Sequence, residues 1–347
     1  MRRKTGLQQA EFRSRVCEGP GRRQHADFWP IAQTTQYRGF LGKDGSVSRP
    51  SLCNYEPRTG LSIPLRAGSR RSTDGNIVES VGLVQINLSK HRAIISGSTA
   101  GIGFAIALSL ARAGAAVVLN GRSETSTIEA ARRLTELVPA ARVDGIAADL
   151  ATGAGANYFV SKAGSADIVV NNLGIYGPKP FAEITDAEWS HIFEANVMSG
   201  VRLARHYFPK MLAANWGRII FVSSESALQI PSEMIHYGMT KTAQLAVARG
   251  LAELTAGTGV TVNSVLPGPT RSEGVAAFLR ETAKSRGVSE AEIERSFFVT
   301  ERPSSLLRRF ATVEEVANMV VYTASEEAAA TNGAALRVDG GVLRSIA

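Results

Sequence analysis

A chain of 347 residues that is 44% hydrophobic can fill one large domain or two with a real core. Of its formal charge of +8, a net +7 sits in residues 1–85, where fourteen Lys and Arg face seven Asp and Glu; residues 86–347 hold 25 against 24, which leaves no basic stripe for nucleic acid. Both cysteines, Cys17 and Cys53, fall in the front segment and the five histidines lack ligand spacing, so the remainder has no disulfide framework or Cys-based metal site, and no apolar run nears the roughly 20 residues that span a bilayer.

Residues 1–85 show no sustained periodicity and are rich in Arg, Ser, Gly and Pro, as in Arg70-Arg71-Ser72-Thr73-Asp74-Gly75. Such a stretch cannot bury enough apolar area to offset its ordering entropy, so a disordered extension is expected. Two origins stand open for it: an organelle transit peptide, or a start codon assigned upstream of the natural one. The acids Glu11, Glu18, Asp27 and Asp44 and the lack of an amphipathic helix weigh against the first. The folded pattern begins abruptly near Ile86, which favours the second, and a cytoplasmic protein is expected.

From His91 to Gly114 the sequence predicts a short strand, a glycine-rich turn and an amphipathic helix. Gly97, Gly101 and Gly103 have the spacing Gly-x-x-x-Gly-x-Gly, with Ser98 and Ile102 in the same turn. Such a turn between strand and helix lets backbone approach a pyrophosphate and points free helix N–H groups at it. A second buried strand over Ala115–Asn120 ends at Gly121 and Arg122. An acid here would bind the ribose diol of NAD. Gly121 stands in its place and Arg122 offers charge to a 2′-phosphate, so NADP is expected over NAD, although Ser98-Thr99-Ala100 adds no second basic residue. A solvated loop arginine is the plainer reading of Arg122.

A helix is expected over Ser123–Val138 and a third strand over Val143–Leu150. Asp149, followed by Leu150, can accept from an adenine amino group or cap the next helix. The fourth strand, from Asp167, ends in a turn with Asn171, Asn172 and Gly174. Thr185-Asp-Ala-Glu has the look of a capping box and opens a long helix to about Ala214, with Asn196 near its middle. The fifth strand, Arg218–Ser224, delivers two hydroxyls to its carboxyl end, and the following helix sets Tyr237 and Lys241 on one face, four residues apart. An ammonium beside a phenol lowers its pKa and makes it a proton-transfer group, with Ser224 able to donate to the same substrate oxygen. A Tyr-x-x-x-Lys pair alone is more often a surface pair; its context changes that.

A sixth strand runs from Val260 and closes at Pro267 and Gly268, with Thr270 just beyond. Residues 272–310 read as an insertion of two helical stretches whose Phe278, Phe297, Phe298 and Leu306 suggest a substrate-covering lid, or simply packing of the insertion onto the body. A helix over Val313–Ala324 and a seventh strand from Ala334 complete an α/β, Rossmann-type doubly wound fold: one domain over 86–347, a seven-stranded parallel sheet with helices on both faces and a site at the strands' carboxyl ends.

The residues Ser96-Gly-Ser-Thr-Ala-Gly-Ile-Gly, Asn171-Asn-Leu-Gly, Asn196, Ser224, Tyr237-Gly-Met-Thr-Lys241 and Pro267-Gly268, in order and spacing, resemble the short-chain dehydrogenase/reductase family, and its 3-oxoacyl-[acyl-carrier-protein] reductase-like members. The resemblance covers about 260 residues. It implies that Tyr237 donates a proton in reduction, Lys241 lowers its pKa and holds the nicotinamide ribose, Ser224 polarises the carbonyl and Asn196 anchors a relay water. It implies a cofactor held by Gly97, Ser98, Gly101, Ile102, Gly103, Arg122, Asp149, Leu150, Asn172, Gly174, Tyr237, Lys241, Pro267, Gly268 and Thr270. Ser96 for Thr, Leu173 for Ala and Met239 for a smaller residue depart from the family's usual pattern. The implied reaction is NADPH-dependent reduction of a ketone to a secondary alcohol, with apolar carbonyls such as 3-oxoacyl thioesters favoured by the insertion's apolar residues. A homodimer or homotetramer is implied as well. Rival readings are a non-catalytic, cofactor-binding regulator or scaffold, and nucleic-acid binding by the basic front segment.

Overall fold

The computed structural model describes residues 85–346. The expected front extension, apart from Gln85, lies outside them. Seven strands form one sheet in the order β3-β2-β1-β4-β5-β6-β7: β1 (Arg92–Ile95), β2 (Ala116–Gly121), β3 (Val143–Ala147), β4 (Ile168–Asn171), β5 (Gly217–Val222), β6 (Val260–Pro267) and β7 (Ala335–Val338). Every pairing is parallel, so each connection must cross over one face.

Successive side chains on a strand point to opposite faces, and the interior divides accordingly. Ile95, Val117, Leu119, Ile220 and Val222 pack with α1 (Gly101–Arg112), α2 (Glu124–Leu137) and α9 (Val313–Thr323) on one face. Their neighbours Ile94, Val118, Ile219 and Phe221 pack with α3 (Gly153–Ala163), α5 (Ser199–Ala214) and α6 (Ile235–Glu253) on the other. The strands β2, β5 and β6 are buried along their whole length, which their runs of β-branched residues require.

Three details differ from the sequence-based expectation. The strand β3 ends at Ala147, so Asp149 and Leu150 lie beyond it. The cap of α3 is Thr152, whose hydroxyl accepts from Gly155 N; Asp149 instead accepts from Ala151 N at 3.1 Å, a local turn bond. The helix from Thr185 is not one continuous α-helix. After the capping box of Thr185 and Glu188, α4 (Asp186–Phe193) passes through a π turn at Glu194–Met198 before α5 begins, because the backbone there takes i→i+5 bonds around Asn196.

The insertion forms α7 (Glu273–Arg286) and α8 (Glu290–Thr300) around a small core of its own: Leu279, Ala283, Ile293, Phe298 and Phe310. Phe298 is thus internal packing, whereas Phe278 and Leu306 are 65% and 84% exposed.

Candidate active site

The turn after β1 is shaped by sterics. Gly97 and Gly101 take φ of +59° and +55°, a left-handed backbone that costs a side chain. Gly103 answers a different need: a Cβ there would lie 2.3 Å from the Gly97 carbonyl oxygen. Ala100 caps α1 without any side-chain bond, and no acid occupies the first turn, so the helix's leading N–H groups remain open to an anion. Asn172 ties the turn in place by donating from Nδ2 to the Ser96 and Gly97 carbonyls at 3.1 and 2.9 Å. Ser98 is buried, its hydroxyl turned inward to the Ile95 carbonyl at 2.8 Å, so its side chain braces the turn from behind.

Ala100 borders two depressions. The smaller, about 190 Å³, is walled by Gly97, Gly121, Arg122 and Leu150, and also by Thr99 and Leu173. At Gly121 a Cβ would stand 2.5 Å from Thr99 Cγ2 and 2.7 Å from Thr127 Oγ1, which leaves no room for an acid. Arg122 is exposed. Its guanidinium has no hydrogen bond or ion pair among the described residues, so its charge is free to meet a ligand. Asp149 is exposed and borders neither depression.

The larger cavity, about 930 Å³, opens on the other side of the turn. Gly101, Ile102, Gly103, Asn172 and Gly174 form its floor, Pro267, Gly268 and Thr270 one wall, and Ser224, Tyr237 and Lys241 another. Eleven of the residues predicted on sequence grounds therefore converge here, from α1 and α6 and from the ends of β4, β5 and β6, while Gly97, Arg122 and Leu150 border only the smaller depression and Ser98, Asp149 and Asn196 border neither. Lys241 Nζ donates to the Val222 carbonyl at 2.9 Å and to Gln244 Oε1 at 3.3 Å, and sits 5.6 Å from the Tyr237 ring centre. Asn196 is buried directly behind. Its Oδ1 accepts from Ile175 N at 2.7 Å, while Nδ2 donates to the Ile175 carbonyl at 2.9 Å and to Thr240 Oγ1 at 3.0 Å.

Burial sets the protonation states. It raises the Tyr237 pKa above the usual phenol value, opposed chiefly by the Ser224 hydroxyl at its oxygen. The expected lowering by Lys241 is not found: after burial and Ser224, the charges acting on the phenol are those of Glu225, Tyr176 and Arg302. The same burial pushes Lys241 down to about 8, with the Glu225 carboxylate pulling the other way.

Three neighbours were not anticipated from sequence. Gln244 is buried and donates from Nε2 to the Asn196 carbonyl at 2.5 Å, bridging the π turn to Lys241. Its position seven after Tyr237, two helical turns along the same face, was the available signal. Glu225 and Arg302 also line the large cavity, and their pairing across 77 positions left no local trace.

A family model described as "Enoyl-(Acyl carrier protein) reductase" matches residues 97–343. The chain belongs to the short-chain dehydrogenase/reductase family. Among its relatives, the uncharacterized oxidoreductase YvrD of Bacillus subtilis is 47% identical over 266 residues, 76% of this chain and 100% of the relative. The D-beta-hydroxybutyrate dehydrogenase of Rhizobium meliloti is 31% identical over 253 residues, 72% and 97% of the two chains. In three dimensions the chain is similar to the L-sorbose reductase of Gluconobacter frateurii, a structure complexed with NADPH and L-sorbose, with a TM-score of 0.70, 34% identity and coverage of 76% and 100%. As a short-chain dehydrogenase/reductase, the protein is an oxidoreductase that acts between alcohols and ketones with NAD(P). No described helix is long and apolar enough to cross a membrane.

Proposed function

We propose that the protein reduces a ketone to a secondary alcohol with NADPH preferred, Tyr237 serving as the general acid. The observation that carries this reading is the meeting of Ser224, Tyr237 and Lys241 on the wall of the cavity whose floor is the glycine turn. A dinucleotide fits the open N–H groups of α1 and the glycine cradle, with one end toward Arg122 and the other toward Lys241. Bound there, it supplies the hydride. The chain's own residues do the rest. Ser224 orients the carbonyl oxygen, and Tyr237, held protonated by burial, gives that oxygen its proton as the alkoxide forms. Lys241, an ammonium below about pH 8, stabilises the resulting phenolate and can contact the ribose. Asn196, Thr240 and Gln244 hold the ammonium and the adjoining loop in register.

Preference for NADPH is supported by two features of the small cleft: the steric exclusion of an acid at Gly121 and the unpaired Arg122. That the similar L-sorbose reductase is described with NADPH agrees with it. The substrate's body would run along Phe278, Phe297 and Met234 of the cavity wall, with the α7–α8 insertion as its cover. Tyr237→Phe is expected to cut turnover at least a thousandfold and leave the NADPH dissociation constant within threefold, measured by nicotinamide absorbance and fluorescence titration; comparable activity in the variant would sink the assignment. Arg122→Ala is expected to raise KM for NADPH at least tenfold and to leave KM for NADH within threefold; equal losses for both would overturn the phosphate contact.

A further inference from the structure

Beside the reacting hydroxyls the large cavity carries a carboxylate with no part in the reaction described above. Glu225 follows Ser224 directly, is only 5% exposed and lines the same cavity as Tyr237. Its Oε2 accepts the Ser224 hydroxyl at 2.5 Å, and its Oε1 lies 3.4 Å from Arg302 Nε. Arg302, which follows α8, also stands 3.5 Å from Glu233, so one guanidinium is shared between two carboxylates. An ionised carboxylate has roughly four acceptor positions. Two are taken here, one of them by a long contact, and the group faces the space a substrate must fill. Covering it with hydrocarbon would leave a buried charge short of donors, which is strongly unfavourable.

A second count concerns Ser224. A serine hydroxyl has one proton, and here Glu225 Oε2, at 2.5 Å, competes for it with the Tyr237 oxygen beside the place of a substrate carbonyl. A substrate hydroxyl that donates to Glu225 in its stead frees that proton to turn to the carbonyl. Glu225 Oε2 and Ser224 Oγ are 2.5 Å apart, so a hydroxyl on the carbon next to the carbonyl reaches the one while the carbonyl meets the other.

We propose that Glu225 is a substrate-binding residue that accepts a hydroxyl adjacent to the substrate's carbonyl, so that the protein prefers hydroxyketones over simple ketones. The proposal rests on the carbonyl-reductase reading. The apolar wall at Phe278 and Phe297 then takes the carbon skeleton beyond the hydroxylated end.

The test uses the full chain with NADPH and matched pairs, 1-hydroxy-2-butanone against 2-butanone and hydroxyacetone against acetone. Wild type is expected to show kcat/KM at least tenfold higher for the hydroxylated member, a modest share of what a site built around a hydroxyl can achieve. In Glu225→Gln, nearly isosteric, that ratio is expected to fall at least fivefold, and in Glu225→Leu further still. Thermal melting and NADPH titration establish that each variant is folded, and the Gln variant decides the matter where Leu does not fold. A wild-type ratio below tenfold, or a smaller change in Glu225→Gln, overturns the proposal while leaving the reductase reading intact. Absence of turnover on all four ketones overturns that reading, and this proposal with it.

Discussion

Burial acts in opposite directions on the two titratable groups of the cleft: it keeps the Tyr237 proton on and drives the Lys241 proton off at about pH 8. In the proposed mechanism reduction needs both groups protonated, the phenol as donor and the amine as cation. The Tyr237 pKa is raised, so its loss of a proton lies at higher pH than that of an ordinary phenol, and the Lys241 pKa is depressed, so its charge goes first. The rate of ketone reduction, kcat/KM against pH, is therefore expected to be level between about pH 6 and 7 and to fall about tenfold per unit above about 8. A decline that begins only beyond about pH 10 would assign the limb to Tyr237 and remove Lys241 from it. At this scale Ser224, Tyr237, Lys241 and Asn196 were legible because their spacing along one chain fixes where a strand end and a helix face put them. Gln244, Glu225 and Arg302 were not. Their meaning lies in contacts to the Asn196 carbonyl, to Ser224 and across an insertion, none of which periodicity encodes.

Among the elements, the π turn at Glu194–Met198 is the one most directly tied to the site, since Asn196 owes its position to the extra residue in that turn. Deleting Val197 restores an α-helical count and swings Asn196 away from Ile175 and Thr240. The expected result is NADPH affinity within threefold of wild type and turnover reduced at least a hundredfold; retained turnover would show that Asn196 need not be held there. Sequence periodicity runs through this stretch as an ordinary helix, which is why one helix was expected. At the amino end of the strands, opposite the cleft, Arg218 of the interior strand β5 is almost wholly buried. Its Nε donates to the Ser325 carbonyl at 3.1 Å, and its Nη1 to the Gly217 and Gly259 carbonyls at 3.0 and 2.9 Å, while its guanidinium lies 4.6 Å from the Trp216 ring. In the sequence it reads merely as the polar start of a strand. Arg218→Met fills much of the volume but strips donors from three carbonyls, at a cost of about 2–4 kcal/mol. The urea midpoint is expected to drop accordingly with KM unchanged.

At the scale of the whole molecule, the seven-stranded parallel sheet was foreseeable from alternating strand and helix patterns, because parallel neighbours demand crossovers, whereas the strand order comes from the structure alone. All the residues placed at the two depressions lie at Gly97 or later. A chain beginning at Gln85 is accordingly expected to keep kcat within twofold and the same melting temperature; loss of either would give residues 1–84 a part in the folded enzyme. The sheet's two halves meet only where β1 pairs with β4, Ala93 opposite Ile168, 75 positions later in the chain. A ribosome adding roughly 5–20 residues per second needs about 4–15 s to cover that distance. For those seconds the nascent β1, rich in branched apolar side chains, waits with one flank bare, open to pairing with a neighbouring polypeptide. Yield in a host cell should consequently respond to translation speed and to holding chaperones far more than the stability of the finished enzyme would suggest.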